Sequence, residues 1–199
     1  MAPDTAKALS LIDAAHNEDP NKIEINREPI PYELHYAQKM TKFLDLHTPN
    51  ADPLLLTAAR AQHFRRWEVP RDSYPRTKAG YFAWRTFLKK RQAEQVRQLC
   101  LECEYSKAEA EKVAALIAKE DLRKGEGKGD PDAQIIEDVA CLVFLDDQFD
   151  QFEKAHDEEK IIGILQKTWV KMGKRGQDLA LQMELSERAK ELVGKALAG

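Results

Sequence analysis

The sequence has no apolar run long enough to cross a membrane, and its 199 residues include only three cysteines. A membrane-spanning helix needs about 18 apolar residues in a row, so we predict no membrane partner. An odd, small number of cysteines indicates a reducing compartment and no disulfide framework. The polar start MAPDTAKALS lacks the apolar core of a signal peptide. We therefore expect a cytoplasmic location.

Several sequence patterns that identify common protein classes are also missing. Glycine and proline number nine each, too few for a collagen-like or proline-rich chain. Neither the phosphate-binding glycine motifs nor a Ser-His-Asp arrangement is present. No segment alternates convincingly between apolar and polar residues, so no β-strand is predicted. The hydrophobic share of 43% is nevertheless high enough for a folded core.

Apolar residues at helical spacing cover most of the chain and predict about seven or eight helices. Prolines after Asp52 and Asp130 open two of them, and Ser106 with Glu109 has the pattern of a capping box. The predicted spans are 5–16, 32–46, 53–67, 78–103, 107–125, 131–155, 157–172 and 186–198, with an ordered loop at 17–31 and a flexible segment, GEGKGD, at 125–130. We expect a single compact all-α domain over residues 1–199, with a C-terminal helical arm at about 174–199.

Positive charge is concentrated in residues 60–97, which hold eleven basic and three acidic residues. The net charge of this segment is +8, so the remainder must carry −11 to give the total of −3. Eight of the basic residues are arginines, whose planar fork suits phosphate and carboxylate oxygens. Arginine with aromatic residues is also typical of RNA-binding surfaces. The acidic remainder favours a small anion over a long polymer as the partner.

Within this segment, the run RWEVPRDSYP is a loop fixed by two prolines, and such loops often carry binding groups. Its arginines could bind an anion, and the aromatic residues around it could stack on a ligand. The candidate ligand-binding residues are Arg66, Trp67, Arg71, Tyr74, Tyr81, Trp84 and Arg85. The alternative interpretation is a solvated helix face with the aromatic residues packed beneath it.

Two carboxylates, Glu137 and Asp138, interrupt the otherwise apolar run IIEDVACLVFL. A helix that is apolar almost all round is buried, so at least one of them should lie in a dry place. There it needs a cation, a metal ion or a raised pKa. One alternative is a structural ion pair with an arginine of the basic segment. The other is a catalytic site in which Glu137 or Asp138 faces His63, with His63 or Asp138 as the general base.

The order of His35, His63 and Asp138 on successive helices resembles the HD-domain metal phosphohydrolases. That resemblance implies an HD-like fold, with these three residues as ligands of a divalent metal ion and hydrolysis as the reaction. Phe64 stands where that family has the aspartate of its His-Asp pair, which removes one charged ligand.

A second resemblance extends from Leu11 to Met172. The stretches LIDAAHNEDP, PYELHYAQKM, AARAQHFRRWEVPRDSYP, GYFAWR, QIIEDVACLVFLDDQF and DEEKIIGILQKTWVKM are similar to those of the domain of unknown function family 4202. This resemblance implies a helical domain and no assigned activity. The residues that match the family motifs include His63, Glu137 and Asp138.

These observations predict a central cleft in which the arginines face His63, Glu137 and Asp138. Its ligand would be a small molecule with a phosphate or carboxylate group, held by arginine. If the protein is an enzyme, we expect a hydrolase of the HD type. The alternatives are a non-catalytic ligand-binding or scaffold protein and an RNA-binding module. The sequence leaves the ligand's identity and the oligomeric state open.

Overall fold

The computed structural model describes residues 3–120 and 129–198. The regular secondary structure of these residues is helical apart from one short hairpin, which confirms the predicted all-α class. They fall into two compact units, the first made of residues 3–42 and 50–120 and the second of residues 43–49 and 129–198. That the two form a single domain stays a prediction. In the part of the chain that is described, no helix is long and apolar enough to cross a membrane.

The first unit is built around a long helix that follows the arginine-rich loop. Its helices are α1 (Thr5–His16), the first part of α2 (Tyr32–His47), α3 (Pro53–Arg60), α4 (Lys78–Glu102) and α5 (Lys107–Ala118), with 3-10 turns at Arg66–Glu68 and Arg71–Ser73. Helix α5 packs against α3 and α4, and α1 packs against α3. The side chains buried in this core include Ile12, Met40, Leu55, Val96 and Leu116.

Local capping groups begin these helices where the sequence predicted. The Asp52 carboxylate accepts hydrogen bonds from the backbone N–H groups of Leu54 and Leu55 at the start of α3. Ser106 and Glu109 form the reciprocal hydrogen bonds of a capping box at the start of α5. Because these contacts are local, the residues alone were enough to predict them.

A β-hairpin occupies part of the segment that the sequence predicted to be a loop. Strands β1 (Lys22–Ile25) and β2 (Glu28–Pro31) pair antiparallel across a two-residue turn. The turn residues, Asn26 and Arg27, have φ angles of 52° and 70°, which suit a tight hairpin turn. Both prolines of β2 fall in alternate pairs of the register, and only every second pair of an antiparallel ladder exchanges hydrogen bonds. The prolines therefore argued against a strand in the sequence, but they did not prevent the strand from forming.

The second unit contains the end of α2 and the C-terminal helices. These are α6 (Pro131–Val143), α7 (Phe149–Lys154), α8 (Glu158–Lys171), α9 (Lys174–Leu181) and α10 (Glu187–Ala198), with a π-helical turn at Phe144–Gln148 between α6 and α7. Helix α6 packs against α8 and α9, and α8 packs against α10. The sequence missed α9, because its first turns contain glycine and its position depends on contacts with α6.

One predicted helix span was too long, because α3 ends at Arg60 and does not reach residue 67. The predicted helix 131–155 forms as α6 and α7, which are continuous through the π-helical turn. The predicted end of α5 near residue 125 and most of the segment GEGKGD lie outside the described residues.

The three cysteines are buried, and none of them forms a disulfide within the described chain. Cys100 and Cys103 lie at the end of α4 in the first unit, and Cys141 lies in α6 in the second. Burial raises the pKa of Cys100 to about 12, so its thiol stays protonated at neutral pH.

Candidate functional site

The arginine-rich loop begins with two residues in a left-handed conformation. His63 has a φ of 65° and Arg65 a φ of 49°, which costs about 1–2 kcal/mol for a residue with a side chain. The Glu33 carboxylate on α2 offsets this cost, because its Oε1 accepts a hydrogen bond of 2.8 Å from the Trp67 backbone N–H. Its other oxygen lies 3.3 Å from Nδ1 of the buried His16. A contact from α2 therefore ends α3 early and fixes the turn that carries the arginines.

His63 is an uncharged hydrogen-bond acceptor in this turn. Its ring stacks on Tyr36, with 4.1 Å between the ring centres and 16° between their planes. Removal from water and the charges of Arg66 and Arg85 hold the pKa of His63 well below its usual range. Nε2 of the neutral ring lies 2.8 Å from the Arg66 guanidinium, so it accepts the hydrogen bond that Arg66 donates.

Arg66 lies between His63 and an indole ring. Its guanidinium carbon is 4.7 Å from the centre of the Trp84 ring, a cation–π distance. Trp84 is itself buried and donates a 2.9 Å hydrogen bond to the Val69 carbonyl. Burial and the charge of Arg85 lower the pKa of Arg66, and the opposing effect of Glu33 is smaller.

Arg71 and Arg85 flank the ring of Tyr81. Their guanidinium carbons lie 5.8 Å and 6.0 Å from its centre. Arg71 also donates hydrogen bonds of 2.9 Å to the carbonyls of Tyr74 and Pro75, which fix the end of the loop. Arg85 makes no hydrogen bond or ion pair with the described residues and is exposed.

Charge pairing divides the eight arginines of residues 60–97 into two groups. Arginines that pair with a carboxylate are Arg60 with Asp13, Arg65 with Glu18 and Glu68, Arg76 with Asp72, Arg91 with Glu68, and Arg97 with Glu94. Arg66, Arg71 and Arg85, hereafter the arginine cluster, pair with no carboxylate among the described residues. Next to Arg66, the buried indole N–H of Trp67 also lacks a hydrogen-bond partner in the described part of the chain.

Asp138, in the second unit, is a buried charged group that has several hydrogen-bond partners. It is 2% exposed. One carboxylate oxygen accepts hydrogen bonds from the Gln134 amide at 2.7 Å and the Gly173 backbone N–H at 2.8 Å. The other lies 3.0 Å from Nε2 of His47 at the end of α2. We call these four residues the Asp138 network; it joins α6 to the end of α2 and to the first turn of α9.

Glycine is needed beside this carboxylate. A Cβ atom added at Gly176 would lie 2.7 Å from Cγ of Asp138, closer than carbon atoms pack. Glu137, the neighbouring buried carboxylate, lies 3.5 Å from Nζ of Lys171. The predicted arginine partner is wrong for Asp138: the side chain beside it is the imidazole of His47, 91 residues away in sequence.

The predicted metal ligands do not gather within either unit. His63 stacks on Tyr36 and not on its neighbour His35, which contacts Tyr32 with 6.5 Å between ring centres. Across residues 3–120 and 129–198, no group of three or more His, Cys, Asp or Glu side chains could hold a metal ion. Asp138 belongs to the other unit.

Comparison with known proteins gives one match. The model of the family described as "Domain of unknown function (DUF4202)" matches residues 6–193. The chain belongs to this family. No curated protein and no solved structure matches the chain.

The family match covers both groups of predicted site residues. The first unit brings His63 together with the arginine cluster, Tyr81 and Trp84, while Tyr74 contacts Phe87 at 6.2 Å between ring centres. Glu137 and Asp138 have their contacts in the second unit, so a cleft shared with the arginines stays a prediction. Three further residues of these sites, Glu33, Tyr36 and His47, carry no local sequence signal, because their roles depend on residues that are distant in the chain.

Proposed function

We propose that the first unit binds a small anionic ligand, bearing phosphate or carboxylate, at the arginine cluster. The observation that carries this proposal is that Arg66, Arg71 and Arg85 share one aromatic site with no paired carboxylate in the described chain. Like charges at such a site repel one another, and a bound anion removes that repulsion. The paired arginines of the same unit offer no comparable attraction.

Some N–H groups of the arginine cluster hold the loop in place, and the others are available to bind a ligand. Arg71 uses hydrogen bonds to hold the loop, so it contributes charge and shape. Arg66 gives one N–H to His63 and keeps others for a ligand, and Arg85 keeps all of them. A neutral His63 orients Arg66 without adding a further positive charge.

Binding without hydrolysis is the form of the proposal that these contacts support best. A general base needs a free lone pair within reach of a substrate. The available lone pair of neutral His63 already accepts from Arg66, and both oxygens of Asp138 already have hydrogen-bond partners. An HD-type hydrolase is therefore the less supported alternative.

Thermal unfolding with inorganic phosphate and succinate at low ionic strength tests the proposal. We expect a saturable rise in Tm for the wild type, because a ligand that binds only the native state stabilises it. Arg85→Gln should abolish most of this rise. Lys90→Gln is the matched control, since Lys90 is an exposed cation on the same helix outside the cluster.

Equal stabilisation of wild type and Arg85→Gln, or none in the wild type, would contradict anion binding at the cluster. If only RNA stabilised the protein, with affinity falling steeply as salt rises, the RNA alternative would replace the proposal.

A further inference from the structure

One face of α4 continues the arginine cluster along the protein surface. Its residues follow the spacing i, i+3, i+4, i+7 and i+11, which puts them on one side of a helix. They are Lys78, Tyr81, Phe82, Arg85 and Lys89, hereafter the α4 face. No acidic residue occurs between Lys78 and Lys89. The face therefore carries three basic residues and no carboxylate from this stretch of α4.

The α4 face also exposes two aromatic rings. Phe82 is 56% exposed and Tyr81 is 41% exposed. Trp84, on the same helix, is 5% exposed and belongs to the core of the protein. The two exposed rings lie next to each other, with 5.8 Å between their centres. Exposed apolar surface of this kind is unfavourable in water and is typical of binding sites.

The aromatic pair adjoins the anion site directly. Tyr81 contacts Arg71 and Arg85, and its ring centre is 6.1 Å from that of Trp84, over which Arg66 lies. A ligand anchored by its anion at the arginine cluster would place its remaining atoms beside Tyr81 and Phe82. A plain phosphate or a short dicarboxylate would leave both rings in water.

We infer that the ligand is a nucleotide, with its phosphate at the arginine cluster and its base stacked on Phe82, next to Tyr81, whose ring is inclined by 64° to that of Phe82. This inference rests on the proposed function and adds the ligand's chemical class. Every base has a flat π face that stacks on aromatic side chains, and arginine binds the phosphate oxygens. A single nucleotide fits the charge distribution better than a polymer, because the chain outside residues 60–97 is strongly acidic.

Isothermal titration of the wild type with four probes tests this inference: adenosine 5′-monophosphate, ribose 5-phosphate, adenosine and inorganic phosphate. We expect the nucleotide to bind roughly tenfold more tightly than ribose 5-phosphate, which is the difference expected from one stacked base. Phe82→Leu should weaken nucleotide binding several-fold and leave ribose 5-phosphate binding unchanged. Tyr81→Leu should weaken the binding of both probes, because Tyr81 also contacts Arg71 and Arg85. Phe87→Leu is the control, since Phe87 is 44% exposed on another side of α4.

The outcomes separate the two proposals. If ribose 5-phosphate binds as tightly as the nucleotide, base stacking is wrong and anion binding stands. If none of the phosphate probes binds, both proposals are wrong. If a short single-stranded RNA binds far more tightly than the nucleotide, with a steep salt dependence, the ligand is a polymer and the inference is overturned. Circular dichroism on each variant checks that α4 still forms.

Discussion

Arg66 in the first unit and Asp138 in the second are both charged groups in water-poor surroundings, but their partners differ. Asp138 accepts from Gln134 and Gly173 and lies beside His47. Arg66 donates to an uncharged histidine and lies over an indole ring, with other arginines as its charged neighbours in the cluster. Both oxygens of the carboxylate have hydrogen-bond partners, whereas the guanidinium forms no ion pair with a carboxylate of the described residues.

This difference indicates what each group does. A buried charge with a complete set of hydrogen bonds stabilises the fold, and removing it leaves several partners unsatisfied. A charge without a counter-ion is unfavourable in the isolated protein and becomes favourable only when an anion binds. We therefore expect substitutions in the Asp138 network to affect stability most, and substitutions in the arginine cluster to affect ligand binding most.

The largest expected effect is that of Asp138→Ala. It leaves the Gly173 N–H and the Gln134 amide without this acceptor and His47 without its carboxylate, in a site that is 2% exposed. We expect the free energy of unfolding, measured by urea denaturation, to fall by about 3 kcal/mol. Asp178→Ala is the control, because Asp178 pairs with Lys174 at the surface and its loss should cost less than about 1 kcal/mol. Equal costs for the two variants would show that the network is not a stabilising element.

A smaller effect is expected from one methyl group at Gly176. Gly176→Ala would put Cβ against the Asp138 carboxylate, and overpacking of this kind costs about 1–3 kcal/mol. The matched substitution Gly163→Ala has nothing within 4 Å of the added carbon. It should stabilise α8 by about 0.5–1 kcal/mol, since alanine favours a helix over glycine. The two substitutions should therefore differ in sign in urea denaturation, and a shared sign would show that α9 moves away from Asp138 at little cost.

The smallest expected effect is the pH dependence caused by His63. Its pKa is lowered in the folded state, so acid protonates the unfolded chain first. The stabilisation is complete above the ordinary histidine pKa of about 6.5 and is lost as pH falls below it towards the folded value. Between about pH 7 and pH 5, the wild type should lose stability faster than His63→Gln, by less than about 1.4 kcal/mol per pH unit. Parallel pH profiles would mean that folding does not lower the pKa of His63, against the arrangement described above.

The sequence predicts those parts of the fold that depend on neighbouring residues. Helix α1 has the predicted bounds, and the caps at Asp52 and Ser106 form as expected, because each contact spans a few residues. The early end of α3 depends on Glu33, 34 residues before Trp67. Helix α9 depends on the carboxylate of Asp138. Such tertiary contacts leave no local pattern to recognise.

The sequence predicted which residue types form the candidate site, but not which arginines form ion pairs with carboxylates. The arginines and aromatic residues of one segment do meet in the first unit, since the loop and α4 are adjacent in sequence. Nothing in the composition shows that Arg91 pairs with a carboxylate and Arg85 does not. The buried carboxylate signal was also correct for Asp138, but its partner His47 belongs to a helix that precedes the basic segment.

The positions of the three thiols have a practical consequence. Because Cys100 and Cys103 lie in the first unit and Cys141 in the second, each unit contains at least one buried thiol. An alkylating reagent can modify these sulfurs only after local opening, when a thiolate becomes accessible. Mass spectrometry of the alkylated peptides over time therefore follows the local opening of each unit separately.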